Sequence, residues 1–359
     1  MRQAVHRYRD PLDTIWEEAL RAVGLSLERT EHAYATSDGR GRLALATDVG
    51  LDADDCVAQM VLHELCHSLV QGQDSFELPD WGLCNESERD VVLEHACLRV
   101  QAALLAPHGL RRVLAPTTDY RSYYDALPHD PLAVESEAEV EEVLLARAAY
   151  ARRGASPWAP HLERALVATR DVVLALGPHL PSSHLLSTGT APPALHQSGL
   201  PARKGDETSA PTCATCAWAK PRGKSLRCAP SGRTVGAQLR ACANYEPELD
   251  CQACGACCRE AYGAVEVSAR DPARRRHAAL MVARPGGFDM AREDGRCVAL
   301  RGGERLPTRG RPPRSLPLYR PSAEPFSCAI YQDRPKTCRD FTRQSEHCLT
   351  ARRAVGLSL

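Results

Sequence analysis

Aromatic residues are scarce in this 359-residue chain: Phe, Trp and Tyr make up only 5% of it, so its core has to come from aliphatic side chains. No run of about 18 apolar residues occurs, which argues against a membrane-spanning helix and a membrane partner. The first 27 residues carry charges at Arg2, Arg7, Arg9, Asp10 and Asp13 and lack the apolar stretch of a secretory signal. Lysine is absent from residues 1–150, where 13 arginines face 27 acids and leave a balance of −14. The rest of the chain carries the compensating +14, which suggests an acidic and a basic unit folded separately. The arginines of the basic part are not interleaved with aromatics, which argues against a nucleic-acid partner. Cysteine, by contrast, is abundant at 16 residues. Without an export signal the chain is expected in a reducing cytoplasm, where clustered cysteines are more often metal ligands than cystines.

Along the chain, Leu12, Ile15, Trp16, Leu20 and Val23 recur at helical spacing until Gly24. Segments 31–36 and 42–47 flank the turn-forming run from Ser37 to Gly41 and read as a β-hairpin. A helix is expected over about 53–70 and ends at Gly72; another over 85–105 is stopped by Pro107. Two more fit 134–153 and 160–176. From 178 to 212 Pro, Ser, Gly, Thr and Ala replace any hydrophobic period, as in a linker. Beyond it Cys, Arg, Gly and Pro dominate, and a region so poor in apolar runs needs metal crosslinks to hold its shape. The expected class is α+β. A mainly helical domain with a small hairpin (1–177) precedes the linker (178–212), a four-cysteine metal-binding segment (213–249) and an irregular, metal-stapled cysteine-rich domain (250–359).

The run from Met60 to His67 contains H-E-x-x-H. On a helix, His63 and His67 share one face and both imidazoles can reach one Zn²⁺, while Glu64 sits where it can accept a proton from the attacking water. A third ligand is needed, and Glu86, Asp90 and Glu94 form a single stripe on the next helix. Glu94, mid-helix and facing inward, is preferred; Glu86 is the alternative. Cys66 turns about 100° from His67 and, with Cys56, Cys84 and Cys97, reads as a packed thiol. His95 points off the stripe, and Asp119 to Tyr124 offer phenols and a guanidinium or an ordinary aromatic turn.

This order of elements resembles the core of a zincin. Asn85-Glu86-Ser-Glu-Arg-Asp90 is similar to the N-E-x-x-x-D of thermolysin-like gluzincins, which implies Glu86 on zinc and Asp90 behind a ligand histidine. The stretch from Glu94 to Pro107 is similar to the E-x-x-A-N-x-F-A-x-x-L-L-x-P helix of ImmA/IrrE-type peptidases, which implies Glu94 instead. Cys97, Leu98, Val100 and Gln101 depart from that pattern. Either resemblance implies zinc-dependent hydrolysis of a peptide or protein, with the hairpin supplying an edge strand for an extended substrate.

At the other end, Cys251, Cys254, Cys257 and Cys258 fall within eight residues, too crowded for one tetrahedral site. Some must reach Cys297, Cys328, Cys338 or Cys348. The pattern C-x-x-C-G-x-C-C, followed by Gly-Arg-Cys297 and by Cys328-Ala-Ile-Tyr331-Gln-Asp-Arg334-Pro335-Lys-Thr-Cys338-Arg339-Asp-Phe341, resembles the YkgJ-type cysteine-cluster family. That resemblance spans about 250–348, is interrupted by an Arg/Pro-rich insertion at 301–325, and implies zinc or iron chelation. Tyr331, Arg334 and Arg339 either hydrogen-bond toward thiolates or simply pack. Upstream, Cys213, Cys216, Cys228 and Cys242 are compatible with tetrahedral zinc or an iron–sulfur cluster. Twelve cysteines make three four-ligand sites by count, but spacing does not partition them. Two functions stand: a zinc-dependent metallopeptidase fused to a zinc- or iron–sulfur-binding domain, or a non-enzymatic metal-binding or redox-sensing protein that uses the clusters. No pattern encodes an oligomeric state.

Overall fold

The computed structural model describes residues 8–84, 90–203, 210–246, 249–259, 261–293, 295–305, 319–320, 324–355 and 357–358. It contains both helices and strands, consistent with an α+β class, and divides into two compact units whose boundary in sequence falls between Pro193 and Ala194. None of the described helices is long and apolar enough to cross a membrane.

In the first unit α1 (Pro11–Ala22) starts at Asp10, whose carboxylate accepts the backbone N–H of Leu12 at 2.8 Å. Pro11 takes the first turn, where a missing N–H costs nothing. The helix buries Leu12, Trp16, Ala19 and Leu20, and the Trp16 indole donates to Thr169 Oγ1 at 2.9 Å. β2 (Ala35–Ser37) and β3 (Arg42–Ala46) pair antiparallel as the hairpin, and β1 (Ser26–Thr30) adds parallel to β3, giving the order β1-β3-β2. Asp38 Oδ1 closes the turn by accepting the backbone N–H of Arg40 and Arg42. Gly39 at its tip has φ +65°, and a Cβ there would stand 2.7 Å from the Leu78 backbone, so only glycine permits this approach.

α2 (Val57–Gln71) is buried along its whole length except at His63. A helix buried all round shows no amphipathic period, and each polar side chain on it needs a partner. Ser68 Oγ donates to Leu65 O and accepts the Trp158 indole, while Arg152 donates to the carbonyls of Leu69 and Val70 at the C-terminal end. α3 (Val91–Leu105) packs on α2 and on α5 (Val140–Arg152); α4 (Arg121–Ala126) packs on α3, and α6 (His161–Leu176) on α1. The described α3 runs from Val91, and the expected start at residue 85, with Glu86, lies outside the described residues. The composition-based linker is divided: short 3₁₀ turns at Gly177–His179 and Leu185–Thr188 and a Thr190 N–H to Gly109 O bond belong to the first unit, whereas Ala202 bridges Cys242 in the second. A segment can pack through its backbone without any hydrophobic period.

The second unit is assembled from short pieces. β4 (Ala219–Arg222), β5 (Ser225–Cys228) and β6 (Thr234–Val235) form one antiparallel sheet. After the single turn α7 (Cys251–Cys254), β7 (Glu266–Val267), α8 (Pro272–Arg276), β8 (Met281–Arg284) and β9 (Gly287–Met290) follow, with the sheet order β7-β9-β8. Two-residue ribbons join β10 (Arg292–Glu293) to β11 (Arg296–Cys297), β12 (Leu300–Arg301) to β15 (Ser327–Cys328), and β13 (Glu304–Arg305) to β14 (Tyr319–Arg320). The helices α9 (Lys336–Asp340) and α10 (Glu346–Ala354) close the chain. Strands this short bury no continuous face, so the apolar side chains break into separate clusters, each containing cysteines.

Candidate metal centres

His63 and His67, one turn apart on α2, bring their Nε2 atoms to 3.2 Å from each other. Glu94 on α3 reaches both, at 3.5 Å from His63 Nε2 and 3.3 Å from His67 Nε2. Ligands on a tetrahedral zinc with bonds of about 2.0–2.1 Å stand about 3.3 Å apart, so the three separations fit one ion. Glu94 Oε1 is buried with no hydrogen-bond partner, as an oxygen meant for a cation would be.

Gln101 decides the chemistry of His63. Its Nε2 donates to the Leu114 carbonyl at 2.9 Å, and a carbonyl only accepts, so the amide oxygen faces His63 Nδ1 at 2.9 Å. Nδ1 therefore carries the ring proton and Nε2 is left bare toward Glu94. Burial, ahead of every other influence, lowers His67 and keeps it the neutral imidazole that a metal requires.

Glu64 is buried on the same helix, and its Oε2 accepts the Trp81 indole N–H at 2.7 Å. The loop that delivers this donor is unusual. Asp80 and Trp81 take φ of +46° and +59°, followed by Gly82 at +79°, and non-glycine residues there cost on the order of 1–3 kcal/mol each. The Asp80 carboxylate fixes the loop to the hairpin by accepting from Thr36 Oγ1 at 2.8 Å and Ser37 N–H at 3.0 Å. One consequence is that the outer edge of β2 is already engaged at Ser37.

Other side chains singled out from sequence fall elsewhere. The ligand atoms of His63, His67 and Cys97 lie within 4.8 Å of one another. Yet Cys97 approaches His63 from the Nδ1 side that Gln101 already holds, its Sγ 3.8 Å from that atom. Burial, then Cys66, pushes its thiol far up, so it stays protonated; Glu94 is the better third donor. His95 stacks on Tyr123 at 3.7 Å, and Tyr123 accepts from Arg99 at 2.6 Å. Tyr124 is buried and donates to Arg111 O, so the aromatic turn is engaged in packing.

The sixteen cysteines are all free of disulfides, and their electrostatic neighbours sort those of the second unit. Burial raises the Cys251 thiol, followed by the charges of Cys257, Cys254 and Cys348; Cys348 responds to Cys254 and Cys257 in turn. Burial raises Cys338, followed by Cys297 and Cys328, and Cys258 feels Cys338 and Cys297. Cys251, Cys254, Cys257 and Cys348 thus act on one another, as do Cys258, Cys297, Cys328 and Cys338, and Cys257 acts on both Cys258 and Cys338 across the two sets. Their junction is the neighbouring pair Cys257 and Cys258, sulfurs 3.9 Å apart, in which the Cys258 hydrogen bond favours the Cys257 thiolate. Four free thiols per set are the ligand number of a tetrahedral zinc or iron–sulfur site, but these sulfurs are not among the described groups whose ligand atoms lie within 4.8 Å of one another. Arg334 lies over the Tyr331 ring and donates to its carbonyl, Arg339 donates to Arg334 O, and the Arg334 charge works against the burial that raises Cys328 and Cys338.

A family model of the CxxCxxCC type, described as a "putative zinc- or iron-chelating domain", matches residues 250–354, less than a third of the chain. A zinc- or iron-chelating cysteine-rich domain is therefore present, in agreement with the YkgJ-type resemblance. Neither the curated proteins nor the solved structures yield a match.

Proposed function

We infer that the first unit is a zinc-dependent hydrolase of peptides or proteins and that it works in a reducing compartment beside a chelating domain on the same chain. The observation that supports this reading most is the convergence of His63, His67 and Glu94 next to a glutamate, Glu64, that is itself held by an indole N–H. A purely structural zinc site has no use for that second acid. Zinc held by His63, His67 and Glu94 would supply Lewis acidity at an open fourth position. Glu64 accepts the proton of the attacking water on Oε1 while Oε2 keeps the Trp81 bond, and it then returns that proton to the leaving amine. Gln101 keeps His63 in the ligating tautomer throughout.

The test is Glu64→Gln. One zinc equivalent per chain should stay bound while hydrolysis of a peptide library falls by about 10²–10⁴-fold; unchanged turnover would remove Glu64 from the chemistry. A second reading, metal or redox sensing without catalysis, is favoured by the adjacent Cys257 and Cys258 joining two thiol groups. Anaerobic protein with visible absorbance and acid-labile sulfide in residues 250–354 supports it; colourless zinc there leaves the domain a structural chelator.

A further inference from the structure

Cys213, Cys216, Cys228 and Cys242 lie outside the segment matched by the chelating domain and take no part in the hydrolase reading. The fold nevertheless gathers them from three stretches of chain. Residues Cys213–Thr215 form a 3₁₀ turn closed by Cys216 N–H donating to Cys213 O at 3.2 Å, so one knuckle carries two of the thiols. Ala219 N–H then bonds Cys216 O at 3.0 Å and leads into β4, and the β4–β5 register sets Cys228 opposite Ala219. The returning strand of chain runs beside the knuckle, with Cys213 N–H on Leu239 O at 2.8 Å and Ala241 N–H on Pro211 O at 2.7 Å, and it brings Cys242 alongside. Cys213, Cys228 and Cys242 are buried, and Cys213 packs with Cys228 and Val235 in one cluster. The four thiols are free of disulfides; they are not among the described groups whose ligand atoms lie within 4.8 Å of one another, so a dication binding here would draw them together.

A fifth side chain completes the group. His196 Nε2 stands 3.5 Å from Cys213 Sγ. Its Nδ1 accepts the backbone N–H of Ser198 at 3.0 Å, and a backbone N–H only donates. The ring proton is therefore on Nε2, aimed at the sulfur. His196 is a donor to Cys213 and not a rival ligand.

We propose that Cys213, Cys216, Cys228 and Cys242 hold a tetrahedral zinc ion and that His196 positions and tempers the Cys213 thiolate through an N–H···S bond. Removing a hydrogen bond of this kind behind a ligand lowers metal affinity by about 10–100-fold.

The test uses the full chain loaded with zinc. Alkylation mapped by mass spectrometry should find these four thiols protected together and exposed together on adding a chelator. In Cys228→Ser one zinc equivalent should be lost while His63→Ala, the control, loses a different one. His196→Ala, with cobalt substituted, should move the thiolate-to-metal charge-transfer band to longer wavelength and release metal 10–100-fold more readily, and His196→Gln should restore part of both. Free alkylation of the four thiols in zinc-loaded protein, or iron retained by them, overturns the site. An unmoved band and an unchanged release in His196→Ala overturn the role given to the histidine. The alkylation result comes from the native chain and so does not depend on any variant folding.

Discussion

Gln101 and Trp81 act on the two ends of the proposed chemistry, and each can be tested alone. Gln101→Leu keeps the volume of a buried side chain but frees His63 to put its proton on either nitrogen. Zinc affinity of the first unit should fall about 10–100-fold, measured by competition with a coloured chelator. Trp81→Phe keeps the ring in place against Phe76 and removes only the donor to Glu64. Metal content should hold while kcat drops by about tenfold or more, the cost of losing an oriented hydrogen bond at a reacting group; equal loss of zinc would show the indole to be structural. His63, Glu64, His67 and Glu94 were legible because helical spacing fixes which residues share a face. Gln101 lies seven residues beyond Glu94 on that same face and reads in sequence only as a departure from a peptidase helix. Trp81 was not legible, because its reach depends on the left-handed backbone of Asp80 and Trp81, which no periodicity encodes.

Among elements, the long helices were foreseeable, but the ends of only some of them were. α1 and α6 show clean apolar stripes, and their ends match the expectation closely. α2 and α3 are buried on nearly every side, so their limits come from tertiary partners such as Arg152 at the end of α2. Leu65, fully buried on α2, should cost roughly 2–5 kcal/mol when cut to alanine, read from denaturant unfolding. The start of α6 offers a pH test. His108, buried, lies 3.5 Å from Glu163, and its hydrogen bond, followed by its charge, holds that carboxyl below its ordinary value of 4.5. A lowered folded-state value means that the contact stabilises above pH 4.5 and is lost as pH falls through the lowered value. The melting difference between wild type and Glu163→Gln should therefore be present at pH 6 and close on acidification; a gap that persists would assign Glu163 another role.

At the scale of the molecule the two units are held by different means. The first has a continuous helical interior, with α2 packed on α1, α3 and α5, whereas the second has short strands and apolar clusters that each include cysteines. Stripping metal with a strong chelator should leave the helical far-ultraviolet signal of the first unit largely in place and make residues 250–354 newly cleavable by protease. Loss of both together would mean that the first unit also depends on its ion for folding. The charge split along the sequence suggests two units, and the change of unit between Pro193 and Ala194 falls inside the 178–212 segment that composition reads as a linker, where Thr190 is tied back to Gly109 by its backbone.

The thiol groups of the chelating domain are nested in the chain. Cys258, Cys297, Cys328 and Cys338 all fall between Cys257 and Cys348, so one group closes inside the loop that the other spans. During synthesis the inner four emerge complete while Cys251, Cys254 and Cys257 still wait for Cys348. If each set holds one ion, loading on the ribosome would run inner set before outer, and a nascent chain stalled just short of Cys348 would display three bare thiols beside a filled neighbour, open to oxidation or to capture of the wrong metal.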